Sequence, residues 1–214
     1  MNRTPPKLRQ SPRFHAETHA LRSEGSLEGW EEVVIRDANL LREADLVIST
    51  IGEWAPEAAL NAWRCNQHSR PDMLFGWTEP HGVAGHLVAL VRGEGCLACG
   101  LSDWGEPLLP VAEWPNGTGL RGEPACGVLY QPYGPVEIAH VAALVTEAAV
   151  DTLLGRIAKP AHRVWVAREA ILQRAGGTWS KAWRATVQGE PKGACIEERL
   201  WAPRINCAVC GGRG

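Results

Sequence analysis

Phenylalanine and tyrosine are scarce here, two of each in 214 residues, while tryptophan occurs ten times. That aromatic balance points to no function by itself. Strong charge of either sign is also missing. The net charge of −2 excludes a global basic field of the kind that draws in nucleic acid. No stretch approaches the ~20 apolar residues of a membrane-spanning helix, so a transmembrane segment is not expected. The opening "MNRTPPKLRQSPRFH" is basic but has no apolar centre, which argues against a secretory signal. Internal repeats and low-complexity tracts are absent too. A chain of this length and apolar content can bury one sizeable core.

What the sequence does have is a patterned set of cysteines. Four of the seven fall in two Cys-x-x-Cys pairs, Cys96/Cys99 in "GCLACG" and Cys207/Cys210 in "NCAVCGG", about a hundred residues apart. Tetrahedral zinc takes four such thiolates, and each Cys-x-x-Cys turn presents two at once. A closed site of this kind is structural and would staple the end of the chain to its middle. The glycines that follow, Gly100 and Gly211, suit the tight turns. Two independent pairs, redox or incidental, are the alternative. Read as metal ligands, the thiols indicate a reducing compartment, the cytoplasm.

The pattern along the chain predicts an α/β fold. Residues 1–25 are polar, carry three prolines and have no clear period; they are expected to be a flexible N-terminal segment, with residues 26–214 forming the folded unit. "EVVI" reads as a short strand, followed by a helical stretch with Ala38, Leu41 and Ala44. "DLVISTI" is a continuous apolar run suited to a parallel strand buried on both faces. "APEAALNAWRCNQ" reads as a helix with Pro56 near its start. "DMLFGWTEPHGVAGHLVALV" reads as strand, turn, strand, punctuated by Gly82 and Gly85. Residues 100–135 are rich in Gly and Pro and read as a long loop. "VEIAHVAALVTEAAVDTLLG" is the clearest helix, with an apolar stripe of Ile138, Val141, Ala142, Val145, Ala148, Ala149 and Leu153, and Gly155 as its stop. The segment 162–187, "HRVWVAREAILQRAGGTWSKAWRATV", mixes a short strand with a short helix.

The remaining chemistry-bearing residues divide as follows. Cys65, on a predicted helix, is expected to be a small core residue. Cys195 has no assigned role. Cys126 lies in the Gly/Pro-rich loop shortly before the strong helix, where backbone N–H groups favour a thiolate; it is the candidate nucleophile, the alternative being a buried loop thiol. His81 and His86 flank "GVAG" with Glu79 nearby. They could line a ligand site, but a polar turn with one satisfied core histidine is the favoured reading.

In order, "ADLVISTIG", "LNAWRCNQ", "GCLACG", "PACGVLYQPYGPVEIAHVAALVTEAAVDTLLG" and "CAVCGG" resemble the C-terminal half of ThiF/MoeB-type, ubiquitin-activating enzymes. The likeness covers about residues 30–155 plus the last ten. "FGWTEPHGVAGHLVAL" is most similar to activating domains of bacterial ubiquitin-like and antiphage conjugation systems. The resemblance implies a partial Rossmann-like fold, a mixed sheet with helices closed by a structural zinc on the four paired cysteines. It implies that ATP adenylates the C-terminal glycine of a ubiquitin-like protein and that a cysteine captures the acyl group as a thioester. Cys126 matches the family's nucleophile. A conjugating-enzyme domain and a second copy of the chain are the further partners implied.

The chain departs from the family in two places. No Gly-x-Gly-x-x-Gly precedes Asp45, so the half that cradles ATP is missing. The Asp that helps hold Mg–ATP is replaced by Gly52, with Glu53 beside it as a possible substitute. ATP and Mg²⁺ are therefore expected only if a separate nucleotide-binding half is supplied. The other expectation is a non-catalytic, zinc-stabilised protein-binding module.

Overall fold

Met73–Thr78, a run of large apolar residues broken by one glycine, forms a central strand of the main sheet. The computed structural model describes residues 40–115, 119, 121–122, 129–130, 133–187 and 189–211. In chain order these form α1 (Leu40–Glu43), β1 (Val47–Ser49), α2 (Trp54–Cys65), β2 (Met73–Thr78), β3 (Ala84–Leu90), β4 (Ala112–Glu113), β5 (Arg121–Gly122), β6 (Leu129–Tyr130), α3 (Pro135–Leu153), β7 (Ala161–Val166), α4 (Glu169–Arg174), β8 (Thr178–Trp179), α5 (Lys181–Thr186) and β9 (Cys195–Leu200). The main sheet has the order β1-β2-β3-β7-β9. β1 and β2 are parallel, and every later pairing is antiparallel. The fold is α/β with a mixed sheet.

The period of two decides which side chains face which layer. On one face Met73, Phe75, Val88 and Leu90 join Leu60 of α2, Leu97 and Trp201. On the other, Leu74, Leu87 and Ala89 join Leu144, Val145 and Ala148 of α3. α3 comes close because β2 and β3 offer glycines beneath it. A Cβ on Gly85 would lie 2.3 Å from Val141 Cγ2, and one on Gly76 would lie 3.0 Å from Val145 Cγ2. Gly85 is thus a packing position within β3 and not turn punctuation. Gly155, with φ of 68°, does stop α3 as expected.

Three expectations need correction. The buried stripe of α3 is Val141, Leu144, Val145, Ala148 and Thr152. Ile138 and Leu153 are exposed instead, because the sheet lies under a line rotated from the one hydrophobicity suggested. "DLVISTI" yields only the three residues of β1, and among the described residues β1 pairs on one side alone, leaving Ile48 and Ile51 about half exposed. The stretch 161–187 contains β7, α4, β8 and α5, and β8 pairs with β4 from the long loop. "CIEERL", for which the sequence suggested no element, is a full strand, β9, with side chains alternately half-buried and exposed. The "EVVI" strand and the N-terminal segment lie outside the described residues.

Candidate metal centre and the adjoining cleft

The first cysteine pair sits where β3 ends. Cys96 is extended, and a short 3-10 turn over Leu97–Gly100 carries Cys99, whose N–H bonds the Cys96 carbonyl at 3.0 Å. The second pair is delivered by β9. Antiparallel pairing with β7 carries the chain back to Pro160, whose carbonyl accepts the Trp201 N–H. Trp201 then inserts into the core and donates its indole N–H to the Cys96 carbonyl at 2.9 Å. From there Arg204 reaches the Leu101 carbonyl at 3.2 Å. Asn206 and Gly211 take left-handed backbone, φ 62° and 64°, bracketing the Cys207–Cys210 turn. Gly211 therefore does serve the turn. Gly100 serves a close approach: a Cβ there would lie 2.0 Å from Trp201 Cη2.

All four sulfurs lie within 4.8 Å of one another, and all four cysteines are buried. Each contact joins one member of each pair: Cys96 Sγ to Cys207 Sγ is 3.9 Å and Cys99 Sγ to Cys210 Sγ is 3.5 Å. These distances are far from the ~2.05 Å of a disulfide. Burial pushes the Cys99 thiol up. At Cys207 burial acts in the same sense but is outweighed by the backbone N–H groups of Cys210 and Val209, which bring it down to about 7. A bound cation is what allows four buried sulfurs to be thiolates together. The group could hold a metal ion.

Helix α2 abuts this centre with its last turns and lines a cleft with its first. Cys65, expected in the hydrophobic core, is half-buried against the four-sulfur cluster instead. Cys195 opens β9, with its thiol on the Lys192 carbonyl at 3.2 Å. Glu53 is the exposed, extended residue ahead of α2 and caps nothing with its side chain. Pro56 falls in the helix's first turn, where its missing N–H costs no bond.

The cleft, about 1780 Å³, opens where the parallel strands β1 and β2 end, between α2, α3 and the loop after Cys99. Trp54, Trp77, Trp104 and Trp114 line it. Its charged lining among the described residues is Glu53, Glu57, Glu79 and Glu106, with no Lys, Arg or His. Glu57 is buried; its carboxylate accepts from Ser49 Oγ at 2.9 Å and from the Gly52 N–H at 3.4 Å. Burial raises its pKa against those bonds.

No protein-family model and no curated protein matches this chain. Its residues must therefore speak through geometry.

His86 is a core histidine, as favoured. Its Nε2 meets Glu79 Oε1 at 2.9 Å and its Nδ1 meets His162 Nε2 at 3.0 Å, while Trp77 stacks on it with ring centres 5.0 Å apart. The Glu79 carboxylate also accepts the backbone N–H groups of Val111 and Ala112, tying the start of β4 to the sheet. His81 tilts against Trp114. Cys126 lies outside the described residues. Glu57, Asn61 and His162 drew no attention in the sequence; a buried polar residue becomes visible only once its partners are brought to it.

Proposed function

We propose that this chain is the metal-stapled C-terminal half of a ubiquitin-activating-type enzyme, which receives the acyl-adenylate of a ubiquitin-like protein and captures it on Cys126. The observation that carries the reading is the change of direction in the sheet. β1 and β2 run parallel and end at the cleft, whereas the strands beyond them are antiparallel. Ligands of open α/β sheets bind at the carboxyl ends of parallel strands. A nucleotide-binding half would extend the sheet from the side of β1 that has no partner among the described residues.

Zinc suits the sulfur geometry. Tetrahedral zinc with ~2.3 Å bonds sets its sulfurs about 3.8 Å apart. The observed 3.9 and 3.5 Å separations bracket that spacing. Cys96, Cys99, Cys207 and Cys210 would hold the ion, fully ligated and without an open position, so its part is to fix the fold.

ATP does not suit this cleft by itself. Four carboxylates and no cation among the described lining residues repel a triphosphate. Phosphate-binding cations would come from the other half. Gly52 stands in the place of the family's magnesium-binding Asp, and Glu53, next to it in the cleft lining, would be its substitute. In the capture step the Cys126 thiolate forms a bond to the acyl carbonyl carbon, and the bond to the adenylate oxygen breaks, the leaving group taking the electron pair.

The same all-acidic cleft favours a second reading, a binding module that kept the fold and lost nucleotide chemistry. The deciding experiment supplies a Gly-rich nucleotide-binding half, ATP and a ubiquitin-like protein to this chain. A thiol-reducible adduct mapped by mass spectrometry to Cys126, and lost in Cys126→Ala with metal content intact, supports the enzyme. An adduct that persists in Cys126→Ala or maps to Cys195 rejects the assignment of Cys126. No adduct at all favours the binding module.

A further inference from the structure

One buried amide touches the metal centre from outside the ligand set. Asn61 lies on the inner face of α2 and is completely buried. Its side chain uses both ends. Oδ1 accepts the Leu97 backbone N–H at 2.9 Å, and Nδ2 donates to Cys96 Sγ at 3.4 Å. The orientation of the amide is fixed by chemistry: a backbone N–H can only donate, so the atom facing Leu97 is the oxygen and the NH₂ faces sulfur. Cys65, one turn on, approaches the same oxygen at 4.0 Å.

The neighbouring turn of the helix supports this contact. Arg64 is also completely buried, and its guanidinium bonds the carbonyls of Pro71 at 2.8 Å and of Gly95 and Glu94 at 3.0 Å each. Residues three apart share a helix face. Arg64 thus grips the backbone just before the first ligand, and Asn61 grips the ligand's own sulfur and the peptide just after it. The two differ in kind. Arg64 holds main chain, and Asn61 donates a hydrogen bond to an atom that bonds the metal.

We propose that Asn61 is a positioning residue of the metal centre: its amide N–H withdraws charge from the Cys96 thiolate, orients that sulfur toward the ion, and couples the ion to helix α2. Four thiolates around a dication carry two excess negative charges, and donors from the surrounding shell are what stabilise them in a buried site. The far end of the same helix carries Trp54 and Glu57 into the cleft. The inference rests on the metal-binding reading and is independent of the activating-enzyme reading.

Cobalt(II) gives the test, because thiolate-to-cobalt charge-transfer absorption reports the charge on sulfur. The full chain is loaded with Co²⁺, and the near-ultraviolet spectrum and the rate of transfer to a chelator are measured for the parent, Asn61→Ala and Asn61→Asp. The two variants are read together. Asp keeps the acceptor for Leu97 N–H and the shape of the side chain but puts a charged oxygen where the sulfur needs a donor, while Ala removes the donor without adding charge. A band shift shared by both reports the N–H···S bond, and an unshifted band in Ala overturns the proposal. The expected result is a shifted charge-transfer band and roughly 10-fold or greater faster metal release in both variants. An Asp variant with the parent's band and release rate overturns the proposal. A parent that takes up no Co²⁺ overturns the metal reading beneath it, which is a distinguishable outcome. A second measurement needs no variant: in the ¹¹³Cd-loaded parent, coupling between the metal nucleus and an Asn61 side-chain amide proton is expected across the N–H···S bond, and its absence counts against the proposal even if neither variant folds.

Discussion

His86 Nδ1 and His162 Nε2 face each other at 3.0 Å inside the sheet's inner layer, and both imidazoles are buried. His86 Nε2 donates to the Glu79 carboxylate, which can only accept, and across the His86–His162 contact one ring donates and the other accepts. Burial, with His86 and Arg199 adding to it, pushes the pKa of His162 down to about 2.

That depression has a defined sign. Between about pH 6.5 and pH 2 the unfolded chain binds a proton at His162 that the folded chain does not, so stability falls as pH falls. The slope from this one group reaches at most about 1.4 kcal/mol per pH unit. Urea unfolding at pH 7, 6 and 5 should show a smaller acid-dependent loss in His162→Gln than in the parent, since the Gln amide can donate to or accept from His86 and does not titrate. Equal slopes would show that His162 is not the group responsible.

The contact between α3 and the sheet predicts a rescue. Gly85→Ala places a methyl carbon 2.3 Å from Val141 Cγ2. Overpacking of this kind costs about 1–3 kcal/mol. Val141→Ala alone also destabilises, by removing buried methyls. The double variant should be more stable than the sum of the two losses, because each change makes room for the other. Thermal melts of the four proteins measure this; strict additivity would mean that α3 is not seated on β3 at this point.

One zinc per chain is expected on Cys96, Cys99, Cys207 and Cys210, contributing on the order of 10 kcal/mol to folding. Elemental analysis of purified protein should find one equivalent. Cys207→Ser should lose the ion and melt at lower temperature. Metal-free parent that melts like the loaded form would remove the staple from the account.

The isolated chain should not exchange pyrophosphate into ATP. The motive is the cleft whose charged lining among the described residues is Glu53, Glu57, Glu79 and Glu106. Exchange by the purified 214-residue chain, above that of a boiled control, would show that it is nucleotide-competent without another half.

Much of the local structure was written in the sequence. Pro135 opens α3 and Gly155 stops it, and both work through the backbone alone. The strand–turn–strand of β2 and β3 follows from two apolar runs with Gly82 between them, at φ of 60°. The spacing within Cys96–Cys99 and Cys207–Cys210 named four thiols that the fold does gather. Spacing in a turn is local geometry, and local geometry survives translation from sequence to structure.

What the chain could not reveal alone depends on distant neighbours. Which face of α3 is buried was settled by where β2 and β3 lie, so Leu144 and Thr152 went inside and Leu153 stayed out. "CIEERL" carries three polar residues in a row, Glu197, Glu198 and Arg199, without apolar alternation, and became a strand because β7 offers it an edge. Cys65 had the look of a core residue; the convergence of two loops put it beside sulfur. Asn61, Glu79 and His162 are ordinary polar residues in the sequence, and only burial makes their partners obligatory, because an unpaired polar group inside a protein costs too much free energy to be left unmatched. The sequence determined the turns, the helix ends and the identity of the thiols. The tertiary structure decided which polar groups must answer one another, since that follows from desolvation, and desolvation exists only once the chain has folded.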